Sequence, residues 1–303
     1  MLLFFSGIGA LLLAVAFTFI LSRKFSEPLQ EMERVSRQMA KGELNVRVPI
    51  VSTDEVGNLA TSLNDLAEDL SRYQTNRKEF LANISHELRT PLSYLKGYIY
   101  ALKTKMYETE EEYDKMLTIL DDETERMHQL IDDLHELSMM ESAQFSLKLE
   151  RIDPNLAVTQ AVERIEREAL AKQLSVTTSF SNSSWILGDS VRFNQMMLNL
   201  LHNAVSYTHS GSIQVEVTES DRQVQVIVTD TGIGIAEGDL PFVFERFYRA
   251  EKSRKRSFGG SGLGLAITKQ LTTLMSGTIT VTSVVNEGTC FTLTFPKAQE
   301  VEE

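Results

Sequence analysis

The sequence predicts a multidomain chain: an α-helical membrane span and helical bundles, followed by an α/β sandwich. Three observations carry this. Residues 1–21 contain no charged side chain. Apolar residues then recur at alternating intervals of four and three through two segments between Leu59 and Ser138, the spacing of a helical seam. From Asp153 onward, helical stripes mix with β-branched, alternating runs separated by glycine-rich boxes.

About 20 consecutive apolar residues suffice to cross a bilayer as a helix, and residues 1–21 meet that length. A signal peptide would carry a charged start and a shorter apolar run. Arg23, Lys24, Arg34, Arg37 and Lys41 all follow the span and none precedes it. The positive-inside rule therefore places Met1 outside and everything after Leu21 in the cytoplasm, as a single span of the inner (cytoplasmic) membrane. The 303 residues carry a formal net charge of −12. That excludes a nucleic-acid groove as the main business, since phosphate backbones want a basic face. Cys290 is the only cysteine, so neither an intrachain disulfide nor a cysteine-rich zinc site exists. It lies in an alternating strand, 288–295, and reads as a small buried residue.

After the span, Pro28 suits the first turn of a helix. Leu29, Met32, Val35 and Met39 form its stripe and Gly42 ends it. Residues 43–53 read as an extended connector in which Leu44, Val46, Val48 and Ile50 alternate. A second helix starts near Asp54, and Leu59, Leu63, Leu66, Leu70 and Tyr73 make a coiled-coil seam for packing against a second copy. Residues 22–75 resemble a HAMP linker, the parallel four-helix module found just inside bacterial receptor membranes. The matching positions are Pro28, Gly42, Asp54, Glu55, Gly57 and Leu59.

The seam runs on to a histidine followed at once by a carboxylate, His86-Glu87, with Phe80, Leu81, Ile84, Leu88 and Leu92 at helical spacing around it. Pro91 is expected to break or kink this helix just past the histidine. A further helix, about 111–141, carries the stripe Tyr113, Leu117, Leu120, Thr124, Met127, Ile131, Leu134 and Ser138. Two such helices form an antiparallel hairpin (residues 76–145), and two hairpins form a four-helix bundle. A homodimer follows. His128 and His135 read as solvated side chains, because no third metal ligand accompanies them.

Helices are expected at 154–172, 189–205 and 263–275, and strands at 175–180, 185–187, 213–217, 224–228, 278–283 and 289–295. Without regular βαβ alternation, these make helices on one face of a mixed sheet over 146–299, with a frayed tail at 300–303. Four boxes fall in this region. Asn199 and Asn203 share a helix face and offer amide oxygens of the kind magnesium accepts beside phosphates; they serve equally well as amides bonding the backbone. Asp230-Thr231-Gly232-Ile233-Gly234 follows a strand, where a carboxylate can accept from a purine amino group. Gly259-Gly260-Ser261-Gly262-Leu263-Gly264 opens a helix, whose free N–H groups suit phosphate. Glu287-Gly288-Thr289 joins the last two strands, as an ordinary hairpin turn also would.

In this order the boxes resemble the histidine-kinase branch of the gyrase-like (Bergerat) ATPases, and the resemblance covers the whole chain. It implies a membrane sensor histidine kinase of a two-component system, with ATP and Mg2+ as cofactors and a response-regulator receiver domain as partner. On that resemblance His86 is the phosphoacceptor, Glu87 its base or orienting group, and Thr90 the residue that positions water for dephosphorylation of the partner. Asn203 ligates magnesium with Asn199 beside it, Tyr207 packs near the adenine, and Asp230 bonds its amino group. Gly232, Gly234, Gly260, Gly262, Leu263, Gly264 and Thr289 line the nucleotide, and Arg249 reaches the terminal phosphate. Residues 241–249 resemble the family's phenylalanine box, and 250–261 its lid. One departure is Ser206, where the family has a basic residue; Arg254, Lys255 or Arg256 could supply the charge.

Two rivals stand beside this reading. A non-kinase ATPase of the superfamily would lack the box from His86 to Pro91. A membrane scaffold or phosphatase-only relative is favoured only by Ser206. Receptors of this kind carry a first span and an external sensor, whereas this chain begins at its last span, as a truncated piece or a short form would.

Overall fold

The computed structural model describes residues 2–141, 145–181, 184–249 and 261–298. The chain divides into two compact units, Met1–His86 and Glu87–Glu303.

The first unit opens with α1 (Leu2–Leu21). A π-helical turn, Ser22–Ser26, carries the helix without interruption into α2 (Glu27–Ala40). Together they make the one described helix long and apolar enough to cross a membrane. Gly42, at φ 92°, ends α2. The connector is extended and forms no strand, and its Leu44 and Val48 turn inward. Asp54 caps the next helix by accepting from the Val56 and Gly57 N–H groups. Met32, Val35, Val48 and Ala60 form a small core. The Asn64 amide clamps the connector to the helix by donating to the Val48 carbonyl at 2.9 Å and accepting from its N–H at 2.8 Å. Of the expected seam, Leu59, Leu66, Leu70 and Tyr73 stay exposed in a single chain.

α3 (Glu55–Lys103) contains both the seam and the histidine box. The break expected at Pro91 is absent, because the helix continues through it to Lys103. Proline inside a helix costs about 3 kcal/mol, and packing offsets it here. Pro91 is buried beside Met127 and Leu130 of α4 (Glu110–Glu141). On α4, Leu117 and Ile131 are exposed while Leu130, Leu137 and Met140 are buried. One helix thus has two apolar faces. The second of them packs into the core of the following domain.

That domain begins with β1 (Glu150–Ile152), too short to show alternation in the sequence, which pairs antiparallel with β3 (Ile186–Gly188). α5 (Pro154–Ala171) and α6 (Ser190–Tyr207) start at aspartate caps: Asp153 accepts from Asn155 and Leu156, Asp189 from Val191 and Arg192. The main sheet has the order β2-β4-β5-β7-β6, formed by β2 (Ser175–Phe180), β4 (Ser212–Glu219), β5 (Gln223–Asp230), β6 (Thr278–Val284) and β7 (Gly288–Pro296). Only β2 and β4 run parallel. The expected mixed sheet is therefore present, with one face covered by α5, α6 and α7 (Gly264–Leu274). Val215, Val226 and Leu293 point into the helix layer, against Phe193, Met197, Leu200 and Ile267. Cys290 falls on the other face of β7 and is half-buried rather than buried. Truncating a fully buried helix residue here, Leu200→Ala, is expected to cost about 2–5 kcal/mol, read as a lowered urea midpoint.

Candidate functional site

Three backbone segments converge where α6 and β5 end. Asp230, the last residue of β5, is buried, and its carboxylate accepts from the Gly232 N–H at 2.8 Å and from the backbone N–H of Thr289, its ladder partner. Burial raises its pKa above the ordinary aspartate value, against the lowering effect of those two donors. The loop after it bonds back to α6, with the Ile233 N–H donating to the Tyr207 carbonyl at 3.2 Å. Gly234 sits at φ 67°, where a Cβ would lie 2.1 Å from the Val284 carbonyl oxygen. Only glycine permits that backbone conformation and that approach together.

Asn199 and Asn203 differ in their commitments. The Asn199 amide donates to the Gly264 carbonyl at 3.2 Å and reaches Thr268 Oγ1 at 3.5 Å, tying α6 to the first turn of α7. Asn203, one turn on, is half-buried, and its side chain forms no hydrogen bond among the described residues. Its amide oxygen is thus available to a cation that also takes phosphate oxygens, as magnesium does. No cluster of three histidine, cysteine or acidic side chains exists among the described residues to hold a metal without such help.

The glycine box reaches α7 through Ser261, whose hydroxyl accepts from the Leu263 N–H at 3.2 Å. Gly262 sits at φ 73°, where a Cβ would lie 3.0 Å from the Phe247 Cα, and its carbonyl accepts from the Phe247 N–H at 2.9 Å. Leu263 is wholly buried, so it can offer a ligand only its backbone. Thr289 is also buried, with its hydroxyl 3.0 Å from Ser283 Oγ. Tyr207 and Arg249 are half-buried, and Nη2 of Arg249 is enclosed without a hydrogen-bond partner among the described residues. Gly260 and the lid residues Arg254, Lys255 and Arg256 lie outside the described residues. Beside Ser206, Lys172 Nζ donates to the Val205 carbonyl at 2.8 Å, where it caps the C-terminus of α6.

His86 is exposed in mid-α3. Thr90 follows it by one turn, so the two share a helix face. Glu87 and Pro91 line a small cleft with Arg126, Met127, Gln129 and Leu130 of α4 and with Ser261. His128 and His135 are exposed.

Sequence reasoning missed the polar contacts that dock α4. Ser261 donates to Asp133 Oδ2 at 2.8 Å, and Glu136 pairs with Arg192 and accepts from Gln195 Nε2 at 2.6 Å. Asp133 and Ser261 are 128 positions apart, and no local pattern links them. Burial pushes the Asp133 carboxyl up to about 6, with Glu136 and Asp132 adding to the shift and the Ser261 hydroxyl opposing it. Glu87 lies in the cleft beside Ser261, and Arg192 is engaged by Glu136. A raised carboxyl pKa favours the docked form when protonated, so this contribution is full below the ordinary aspartate value and is lost as pH rises through about 6. Protection of α4 amides from hydrogen exchange, corrected for intrinsic rates, is expected to fall between about pH 4 and pH 6 and to level off above that.

Three family models match the chain. They are the HAMP domain over residues 20–72, the His Kinase A (phospho-acceptor) domain over 76–143, and the Histidine kinase-, DNA gyrase B-, and HSP90-like ATPase over 188–299. The Signal transduction histidine-protein kinase BaeS of Escherichia coli is 35% identical over 296 residues, covering 97% of this chain and 62% of that protein. The chain therefore carries a HAMP domain, a histidine-kinase phospho-acceptor domain and a histidine-kinase-like ATPase domain, and its homologues are sensor histidine kinases. It spans between 41% and 64% of the length of the first curated kinases it matches. Among solved kinases, full-length ShkA in complex with AMPPNP is 28% identical, with TM-score 0.55, over 73% of this chain and 46% of that one. The Acinetobacter baumannii histidine kinase AdeS shares the fold, with TM-score 0.60 at 24% identity over 71% of this chain and 98% of that one.

Proposed function

We propose that the chain is a sensor histidine kinase that phosphorylates His86 from ATP and passes the phosphoryl group to an aspartate on a response-regulator receiver domain. The observation that carries the reading is the presence, in one chain, of an exposed helical histidine with an adjacent carboxylate and a domain of the histidine-kinase ATPase family. Asp230 would accept from the adenine amino group, and Tyr207 would pack beside the ring. The loop from Gly232 to Gly234, the box from Gly260 to Gly264 and the Thr289 turn would line the nucleotide. That ShkA, a kinase of similar structure, was solved in complex with AMPPNP supports ATP as the ligand of this chain.

Neutral imidazole is the nucleophile. Glu87 orients it and balances the charge that develops as the bond to phosphorus forms and the ADP oxygen leaves in line. Magnesium supplies charge neutralisation on the phosphates when bound, with Asn203 as its protein ligand. The enclosed guanidinium of Arg249 would meet the terminal phosphate. Thr90, on the His86 face of α3, fits a role in positioning water for a phosphatase activity toward the same receiver.

The exposed seams on α3 and α4 need covering, and a second copy forming a four-helix bundle does this. The uncharged helix α1, followed by basic residues, supports a span of the inner membrane with Met1 outside and the residues after Leu21 in the cytoplasm. The proposed division is span 1–21, linker 22–75, hairpin 76–145 and ATPase domain 146–299. Incubating the detergent-solubilised protein with labelled ATP and magnesium tests the reading. Acid-labile, alkali-stable label that transfers to a receiver domain is expected. Acid-stable label, or bound ATP with no label, would overturn it in favour of a scaffold or phosphatase.

A further inference from the structure

The glycine box already has an anion beside it. The Ser261 hydroxyl donates its proton to Asp133 Oδ2 and accepts from the Leu263 N–H, where α7 begins. The Asp133 carboxylate is thereby one hydroxyl away from the positive end of an 11-residue helix. Two residues hold α4 in this position through α6, since Glu136 pairs with Arg192 and accepts from Gln195. Beneath them Leu130, Leu137 and Met140 are buried in the core of the ATPase domain. α4 therefore grips both α6 and α7, the two helices that carry Asn199, Asn203 and Gly264.

We propose that Asp133 is an internal stand-in for the nucleotide's phosphates, so that nucleotide loading expels it from the glycine box and loosens the ATPase domain from α4. This rests on reading that box as the ATP-phosphate site. The carboxylate is poorly solvated, and burial raises its pKa to about 6. Its charged neighbours on α4, Asp132 and Glu136, are acidic, and the nearby Arg192 is already paired with Glu136. A triphosphate arriving at the start of α7 adds several negative charges beside a group that has no cation of its own among the described residues. The two anions exclude one another. By reciprocity, whatever the nucleotide does to docking, docking does to nucleotide affinity. The device couples ATP occupancy to release of the domain that must then reach a histidine.

The test uses the full chain in detergent, a non-hydrolysable ATP analogue with magnesium, and hydrogen exchange of residues 130–140. Nucleotide affinity is measured on the same samples. In the parent protein, saturating nucleotide is expected to speed exchange at least about fivefold. Asp133→Asn keeps an oxygen for Ser261 but no charge. It is expected to bind nucleotide about 5- to 10-fold more tightly and to show no nucleotide-driven change in exchange. Nucleotide binding without altered exchange in the parent would overturn the proposal, as would an Asp133→Asn variant that responds like the parent. Absence of nucleotide binding in every protein would overturn the ATP reading itself, and this proposal with it.

Discussion

Replacing His86 by glutamine is expected to reduce acid-labile labelling from ATP by at least ~1000-fold, because no other side chain at that place can form the phosphoramidate. Nucleotide affinity should be unchanged, since the glycine boxes, Asn203 and Asp230 all belong to the ATPase domain. Thermal stability should also hold, because His86 is exposed on a long helix and makes no described packing contact that glutamine would lose. Label persisting in the variant would place the phosphoacceptor elsewhere. His128 and His135, both exposed on α4, would be the next residues to replace.

Asp230→Asn is expected to have the second large effect, with the opposite signature. The carboxylate receives two backbone N–H groups, from Gly232 and Thr289, and has acceptor capacity left for an adenine amino group. An asparagine oxygen can still take the backbone donors, but its NH2 meets the adenine amino group donor to donor. Losing a charged hydrogen bond and facing a mismatch costs about 2–3 kcal/mol, or roughly 30- to 150-fold in nucleotide affinity. The unliganded protein should unfold no earlier. The folded-state pKa of Asp230 is raised, so its charge weakens the fold above that pKa and strengthens it nowhere. Weaker binding with an unchanged or higher melting temperature would mark a recognition residue. Unchanged affinity would remove Asp230 from adenine recognition, and a lowered melting temperature would make it structural.

These two candidate sites stand out in the sequence because their chemistry is local. His86-Glu87 on a helical stripe, and Asp230 with its glycines after a strand, need no distant partner to be noticed. The periodicities were legible for the same reason. α2, α4, α5 and β2 fall within a few residues of where their stripes and alternations place them. Of the break or kink expected at Pro91, no break occurs: its local cost is real, while the neighbouring Met127 and Leu130 come from another helix. β1 carries too few residues for alternation to register and exists through its pairing with β3. The Ser261–Asp133 and Arg192–Glu136 contacts were invisible, because charged residues on a long helix read as a solvated face until something docks on them. The roles of Asn199 and Asn203 separated only once Gly264 and Thr268 stood beside the first and nothing described bonded the second.

The π-helical turn at Ser22–Ser26 sets how α1, the proposed membrane span, is geared to the linker helix α2. Such a turn accommodates one extra residue inside a helix without breaking the rod. Deleting a single residue from 22–26 should relax it to ordinary α-helix and spare both α1 and α2. The alternative, losing a residue from a regular helix, swings everything beyond it by about 100°. The junction between span and linker is therefore a place where angular phase can be stored or discharged one residue at a time. Small rotations of the span could be absorbed there or passed on, depending on whether the bulge is present.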